Sequence, residues 1–327
     1  MPGDRVFGDV FEMFGRSLGG NDELLDLSRD YQDDGTELYG DAFSMRDSAR
    51  GGDDFLASTN PTLIFGDAQT MEDRSQGGND TLNGGAEGPN MFGDAYFMTD
   101  RAQGGHDTLT NIVSAAPAEF SYGDAYMMDA RASGGNDTFE YVDPCDTVLF
   151  GDADMMEDRA RGGDDIFNIR GGCRVDVIGD AGTMRDKSHG GDDFFNVRSP
   201  DAFVYGDALT MEGRATGGND TIFAEAGPLF VYGDARYMGD RTKGGDDFLQ
   251  VDTFGFGDAY GDARVMDNRS QGGNDTLISL GFDSLYGDAR QMLDRAVGGD
   301  DLLVSSNGDN LLFGDAALMA ANAVGGA

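Results

Sequence analysis

Phe65-Gly66-Asp67-Ala68, with Met71 three residues on and Gly77-Gly78-Asn79-Asp80 closing the phrase, is the stretch that decides the fold. It is one of twelve copies. The glycine of the Gly-Asp pair recurs at 8, 40, 66, 93, 123, 151, 179, 206, 233, 261, 287 and 314, a spacing of 26 to 32 residues. A unit repeated at such a period stacks on itself, and the stack buries one continuous core. The expected architecture is mainly β, a parallel β-solenoid of about twelve coils, each with two short strands and one short helix. Residues 7–327 make the single repeat array, and residues 1–6 lead into it. The last copy stops at Gly325-Gly326-Ala327 without its aspartate, so end-to-end association is a further expectation.

Within one coil, Thr221-Ile222-Phe223 and Leu229-Phe230-Val231-Tyr232 are β-branched, aromatic or aliphatic and read as strands. Ala226-Gly227-Pro228 between them is turn chemistry. After the second strand the period changes. Ala235, Met238 and Thr242 stand at i, i+3 and i+7, which predicts a short helix, with a wide loop as the alternative. Asp234 would cap its start and Gly244-Gly245 would stop it. Arg74, Arg101, Arg131, Arg159, Arg214, Arg241, Arg269 and Arg295, with Lys187 in the same register, suit the negative end of such a helix. Methionine falls five residues after the glycine in every copy, Met13 to Met319. An aromatic precedes the glycine in all but the copy with Ile178. Both rows read as packing ladders, not as ligand sites.

The chain has 61 acidic and 23 basic side chains, a formal charge of -38. That balance argues against nucleic acid as a partner, because phosphate binding needs a basic face. Disorder, the usual meaning of such charge, is opposed by 39% apolar residues and regularly placed aromatics. No stretch has the roughly 18 apolar residues of a membrane span. Met1-Pro2-Gly3-Asp4-Arg5 lacks the pattern of a secretory signal, so the protein is expected to stay inside or to leave by a route that reads no N-terminal signal. Cys145 and Cys173 share a register in consecutive copies. Stacking places them about 4.8 Å apart, yet in-register strands rarely offer disulfide geometry, and a strained or absent bridge is expected. Gly15-Arg16-Ser17-Leu18-Gly19 fits the G-x-S-x-G pattern, but the only candidate bases, His106 and His189, lie in distant copies. No enzyme is expected.

The chemistry lies in the aspartates. One ladder follows the Gly-Asp glycine: Asp9, Asp41, Asp67, Asp94, Asp124, Asp152, Asp180, Asp207, Asp234, Asp262, Asp288 and Asp315. The other closes Gly-Gly-x-Asp: Asp22, Asp54, Asp80, Asp107, Asp137, Asp165, Asp193, Asp220, Asp247, Asp275 and Asp301. Stacked about 4.8 Å apart, neighbouring charges repel by about 0.9 kcal/mol even at the dielectric of water. Over both ladders that is on the order of 20 kcal/mol, more than the roughly 5–15 kcal/mol by which a domain is stable. Nearby acids such as Asp73, Asp100, Asp158, Asp240 and Asp294 are expected to use up much of the arginine charge, which leaves a divalent cation as the remedy. The x position adds oxygen: Asn21, Asn79, Asn136, Asn219 and Asn274 alternate with Asp53, Asp164, Asp192, Asp246 and Asp300. Exchange of Asn with Asp suits a hard cation such as Ca²⁺, although both also favour turns after glycine. His106 breaks that series.

Gly77-Gly78-Asn79-Asp80-Thr81-Leu82-Asn83-Gly84-Gly85 resembles the hemolysin-type (RTX) calcium-binding repeat, as do Gly217–Ile222 and Gly272–Leu277. The third glycine of that family's nonapeptide is missing, and the period here is longer. The resemblance implies a parallel β-roll with several Ca²⁺ ions held between coils, and type I export without an N-terminal signal. It further implies folding outside the cell. The leading expectation is thus a secreted calcium-binding module, structural, adhesive or part of a surface. The alternatives are an intracellular acidic scaffold with no specific calcium, and the non-catalytic array of a secreted hydrolase.

Overall fold

The computed structural model describes all residues except 1–3, 27–35, 59–62, 86–87, 113–119, 282, 307–309 and 327. The lead-in is therefore described from Asp4 onward. The chain winds as a succession of short strands into three parallel sheets, two of twelve strands and one of eleven. The coil around Gly66 shows the plan. Leu63–Phe65 belongs to the first sheet, Ala68–Met71 to the second and Thr81–Gly84 to the third. Each strand pairs in register with its own copy in the coils before and after, Ile64 with Leu38 and Met91, for example. A fourth edge is a ladder of single bridges, Gln76 to Gln103 to Ser133 and onward.

Ten coils, those of Asp41 to Asp288, have their Gly-Asp aspartate fully buried and form the packed body. The first and last units carry exposed apolar side chains, Phe14 and Leu18 at one end and Leu311 and Leu318 at the other. The packed stack is thus about ten turns, against the twelve expected.

Three side-chain ladders fill the interior. Leu82, Ile64, Phe139, Val177 and their copies make an apolar core between the first and third sheets. Alanines and methionines of the second sheet pack with the small residue before each x-Gly-Gly, such as Ala102 or Ala132. The aromatics before Gly-Asp stack ring on ring, Phe65 on Phe92 at 4.9 Å and Tyr205 on Tyr232 at 4.9 Å. Ile178 is buried in that same cluster.

The expected helix is a strand. Ala235–Met238, like Ala68–Met71, lies in the second sheet. Its main chain bonds to neighbouring coils, as Glu72 N–H does to the Met45 carbonyl. So short a segment could hardly nucleate a helix, whereas an identical segment in register on each side satisfies its main chain at once. The spacing of three that suggested a helix has another origin. Register runs from Ala95, Phe97 and Met98 to Ala68, Thr70 and Met71 and passes over Tyr96, so Ala and Met both face inward. In a regular strand residues three apart would face opposite sides. A tight turn follows, with Asp73, Asp100, Ala130 and Asp158 in the left-handed region, which Asp and Asn tolerate better than most residues.

Cys145 and Cys173 are joined in a disulfide. Both lie in the connections before their strands, not within the strands. In-register strand geometry therefore does not apply to them. The bridge ties two successive coils together.

Candidate metal centre: two buried rows of aspartate

The two aspartates of a coil sit at its two tight turns, brought together because the turns face each other across the coil. Each turn is closed by glycine for lack of space. A Cβ on Gly66 would overlap the carbonyl of Gly93 and Oδ2 of Asp80, and one on Gly78 would overlap the carbonyl of Gly52. A Cβ on Gly77 would overlap Asp94 Oδ1 and Asp67 Oδ2. Carboxylates from consecutive coils therefore converge on one glycine.

In the Gly-Asp row, Asp41 to Asp288 are buried. Oδ1 of each accepts the N–H of the second glycine eleven residues on, Gly78 to Asp67 at 3.0 Å and Gly163 to Asp152 at 2.8 Å. These aspartates cap no helix; they tie the coil's two turns together. In the Gly-Gly-x-Asp row, Asp54 to Asp275 are buried. Oδ1 of each accepts the N–H of its counterpart one coil earlier, Asp54 to Asp80 at 2.7 Å and Asp137 to Asp165 at 2.7 Å.

The second oxygen is different. Oδ2 of Asp54, Asp80, Asp107, Asp137, Asp165, Asp193, Asp220, Asp247 and Asp275 is buried with no hydrogen-bond partner. So is Oδ2 of Asp94, Asp124, Asp152, Asp180, Asp207, Asp234, Asp262 and Asp288. A buried carboxylate oxygen without a partner is strongly unfavourable. Here such oxygens form two adjacent files along the molecule.

Their titration reflects this. Burial, then the charges of Asp67 and Asp107, hold Asp80 well above the usual carboxylate range. Burial, then Asp165, Asp124 and Asp180, do the same to Asp152. Asp54 is pushed up to about 7 by burial, against a hydrogen bond from Asp22 that lowers it. Asp180, raised by burial, lies at about 7 and Asp234 at about 6.

The x-position residues are elsewhere. Asn21, Asp53, Asn79, Asn136, Asp164, Asp192, Asn219, Asp246, Asn274 and Asp300 are exposed, outside the buried files. Their side-chain oxygens accept N–H groups of the next x residue, Asn79 to Asp53 at 3.0 Å and Asp192 to Asp164 at 2.9 Å. His106 fits because its Nδ1 accepts the Asn136 N–H in the same way, at 2.6 Å. The position requires an acceptor near the main chain, and imidazole supplies one.

The arginines do not pair with the acids expected to neutralise them. Among the described residues, ion pairs involve Arg5, Arg46, Arg174, Arg185 and Arg198, none in the row from Arg74 to Arg295. Three of the left-handed aspartates turn to main chain instead: Asp47 accepts the Gly15 N–H, Asp73 the Asp47 N–H at 3.1 Å and Asp240 the Gly213 N–H.

Donor chemistry in the two files fits a hard divalent cation: carboxylate oxygens, buried, unpartnered, and bordered by glycine carbonyls. Among the described residues, no three His, Cys, Asp or Glu side chains form a ready-made metal cage. An ion there would have to draw on main-chain carbonyls as well as carboxylates. Comparison with family models, curated proteins and solved structures found no match to this chain. No helix among the described residues is long and apolar enough to cross a membrane.

Proposed function

We propose that the protein is a calcium-stabilised structural repeat module, in which Ca²⁺ between coils and folding are a single event. One observation carries this reading: two continuous files of buried aspartate whose Oδ2 atoms have no partner. Something positive must meet those oxygens when they are charged, and the unfolded chain offers no such site. The ligands proposed are Asp54, Asp80, Asp107, Asp137, Asp165, Asp193, Asp220, Asp247 and Asp275 with Asp67, Asp94, Asp124, Asp152, Asp180, Asp207, Asp234, Asp262 and Asp288. Asp22 and Asp301 belong to the same file at its ends. The exposed x-position residues serve the turns in this reading.

A location outside the cell follows as part of the proposal, by an export route of the kind the RTX-like Gly-Gly-Asn-Asp repeats imply. The Cys145–Cys173 bridge supports it, since disulfides persist in oxidising compartments. A structural, adhesive or surface role suits a long, regular body of in-register coils. We assign no catalysis. Ser17 lies in the first coil, and His106, the nearer of the two candidate bases, already spends Nδ1 on the Asn136 N–H.

A second reading has one observation in its favour: carboxyls held near or above neutrality could stay protonated and share protons, making a calcium-independent scaffold. Equilibrium dialysis of metal-stripped protein against Ca²⁺ at pH 7.5, with circular dichroism at each point, separates the two. Calcium-coupled folding predicts several ions bound as β signal grows. A full β spectrum with no ion bound would establish the scaffold.

A further inference from the structure

We propose that the groove along the arginine edge is a binding track for an extended acidic polysaccharide carrying one carboxylate per sugar. The groove, about 1590 Å³, runs from Asp47 to Asn322 over successive coils, ~50 Å at ~4.8 Å per coil. Nine cations line it, from Arg74 through Lys187 to Arg295, against seven carboxylates. In a chain with 61 acidic and 23 basic side chains, this is a local reversal of sign.

Three features make the row available. Its side chains are exposed, and none is in an ion pair among the described residues. The facing carboxylates are partly engaged, Asp73 by the Asp47 N–H and Asp240 by the Gly213 N–H. At Ala130, Gly213 and Asn268 the facing position has no carboxylate at all. Like charges ~4.8 Å apart repel one another, and a line of anions at the same repeat would relieve that.

The second row narrows the partner. Ser75 is buried between Arg74 and Gln76, so both flanking side chains face outward. Gln76, Gln103, Ser133, Thr216 and Gln271 thus run beside the cations and offer amides and hydroxyls, while Arg161, His189 and Lys243 in the same row add basic groups. A row of point charges beside a second row that mixes amides and hydroxyls with further basic groups suits a polymer with a carboxylate and several hydroxyls in each unit. Duplex nucleic acid, with a charge every ~1.7 Å, would bring nearly three charges per cation. A pyranose unit is close to one coil in length.

The inference is independent of what fills the buried files. It is tested by fluorescence anisotropy with a labelled decamer of galacturonic acid, in a buffer giving the folded spectrum. The variant carries Arg131→Gln, Arg159→Gln, Lys187→Gln and Arg214→Gln. Expected are salt-sensitive binding by the unaltered protein, none to a neutral dextran oligomer, and a loss of at least about tenfold in the variant, as four exposed ion pairs vanish together. The dichroism spectrum and melting of the variant should not change. The pair Arg241→Gln and Arg269→Gln should show a smaller loss in the same direction, which keeps the test open if the quadruple variant folds poorly. Binding unaltered in both variants would mean adsorption elsewhere, through bridging calcium for example, and would overturn the proposal. So would equal binding of a ten-residue oligothymidylate, or no binding at all.

Discussion

Asp67 accepts the main-chain N–H of Gly78 through Oδ1 at 3.0 Å, joining the two tight turns of one coil across eleven residues. The same link recurs from Gly20 and Asp9 to Gly326 and Asp315. It explains why Gly-Asp and Gly-Gly keep a fixed distance while the connections elsewhere vary. From Asp94 to Asp288 it also leaves the other carboxylate oxygen without a partner, and the functional reading starts from that remainder.

Replacing one buried aspartate should therefore act with opposite sign in two states. Asp165→Asn keeps an oxygen to receive the Asp137 N–H and removes a charge whose Oδ2 is unpartnered. Metal-free protein should gain about 1–3 kcal/mol, while the increment from calcium should shrink. Urea denaturation with and without Ca²⁺ checks both. Asp164→Asn, one residue away and exposed, should change neither by more than about 0.5 kcal/mol.

In the absence of metal, stability should fall as pH rises. An unfolded aspartate titrates near its ordinary ~3.9. Folded Asp54 and Asp180 do so at about 7, and Asp234 at about 6. The unfolded chain thus gives up these protons first. The stability they contribute is complete below pH ~4 and drains away as pH climbs through 6 to 7, by up to ~1.4 kcal/mol per unit for each group. Calcium should reverse the trend, because its ligands must be deprotonated. Melting temperatures of metal-stripped and calcium-loaded protein between pH 4 and 8 should cross.

Space, not flexibility, fixes the glycines of the two turns. Gly151→Ala would drive a Cβ into the Gly179 carbonyl and Asp165 Oδ2. A loss of about 1–3 kcal/mol or more is expected from such overpacking. Gly213 is a control of the opposite kind. It lies in the left-handed region at φ 74°, where equivalent coils carry Asp186 and Asp240, and a Cβ there would approach the Asp186 main chain to 2.9 Å, far less closely than at Gly151. Gly213→Asp should stay within about 0.5 kcal/mol of the unaltered protein, as thermal melts would show.

The disulfide closes 28 residues between Cys145 and Cys173. Removing it by Cys145→Ser with Cys173→Ser should lower stability by about 2–4 kcal/mol. The melt of the unaltered protein in excess reductant should fall to that of the double variant. No difference between them in oxidising buffer would show that the bridge does not form.

Much of this was legible in the sequence because stacking repeats each residue's environment. Phe65, Met71 and Leu82 point inward in one coil and so do their counterparts in the packed coils, which is why the ladders and the strands of the first and third sheets could be read. The helix was misread for a local reason: register passes over the residue after each alanine, and the resulting spacing of three mimics a helical face. Asn79 and Asp53 read as oxygen donors, which metal sites and turns share, and the fold adds only that they are exposed beside the buried files. The groove was hidden for the same kind of reason. Arg74 and Gln76 face one way only because Ser75 is buried between them, and a helix reading scatters those side chains.

The most direct test of calcium-coupled folding is a pair of calorimetric melts at pH 7.5, one of metal-stripped protein and one in millimolar Ca²⁺. A single site at one hundred times its Kd contributes ~2.7 kcal/mol, worth several degrees in a chain of this size, and filled files of buried aspartate would add up to far more. The account predicts no cooperative transition without metal, or one at least about 10 °C lower. A metal-free melt as cooperative and as high as the calcium-loaded one would contradict it.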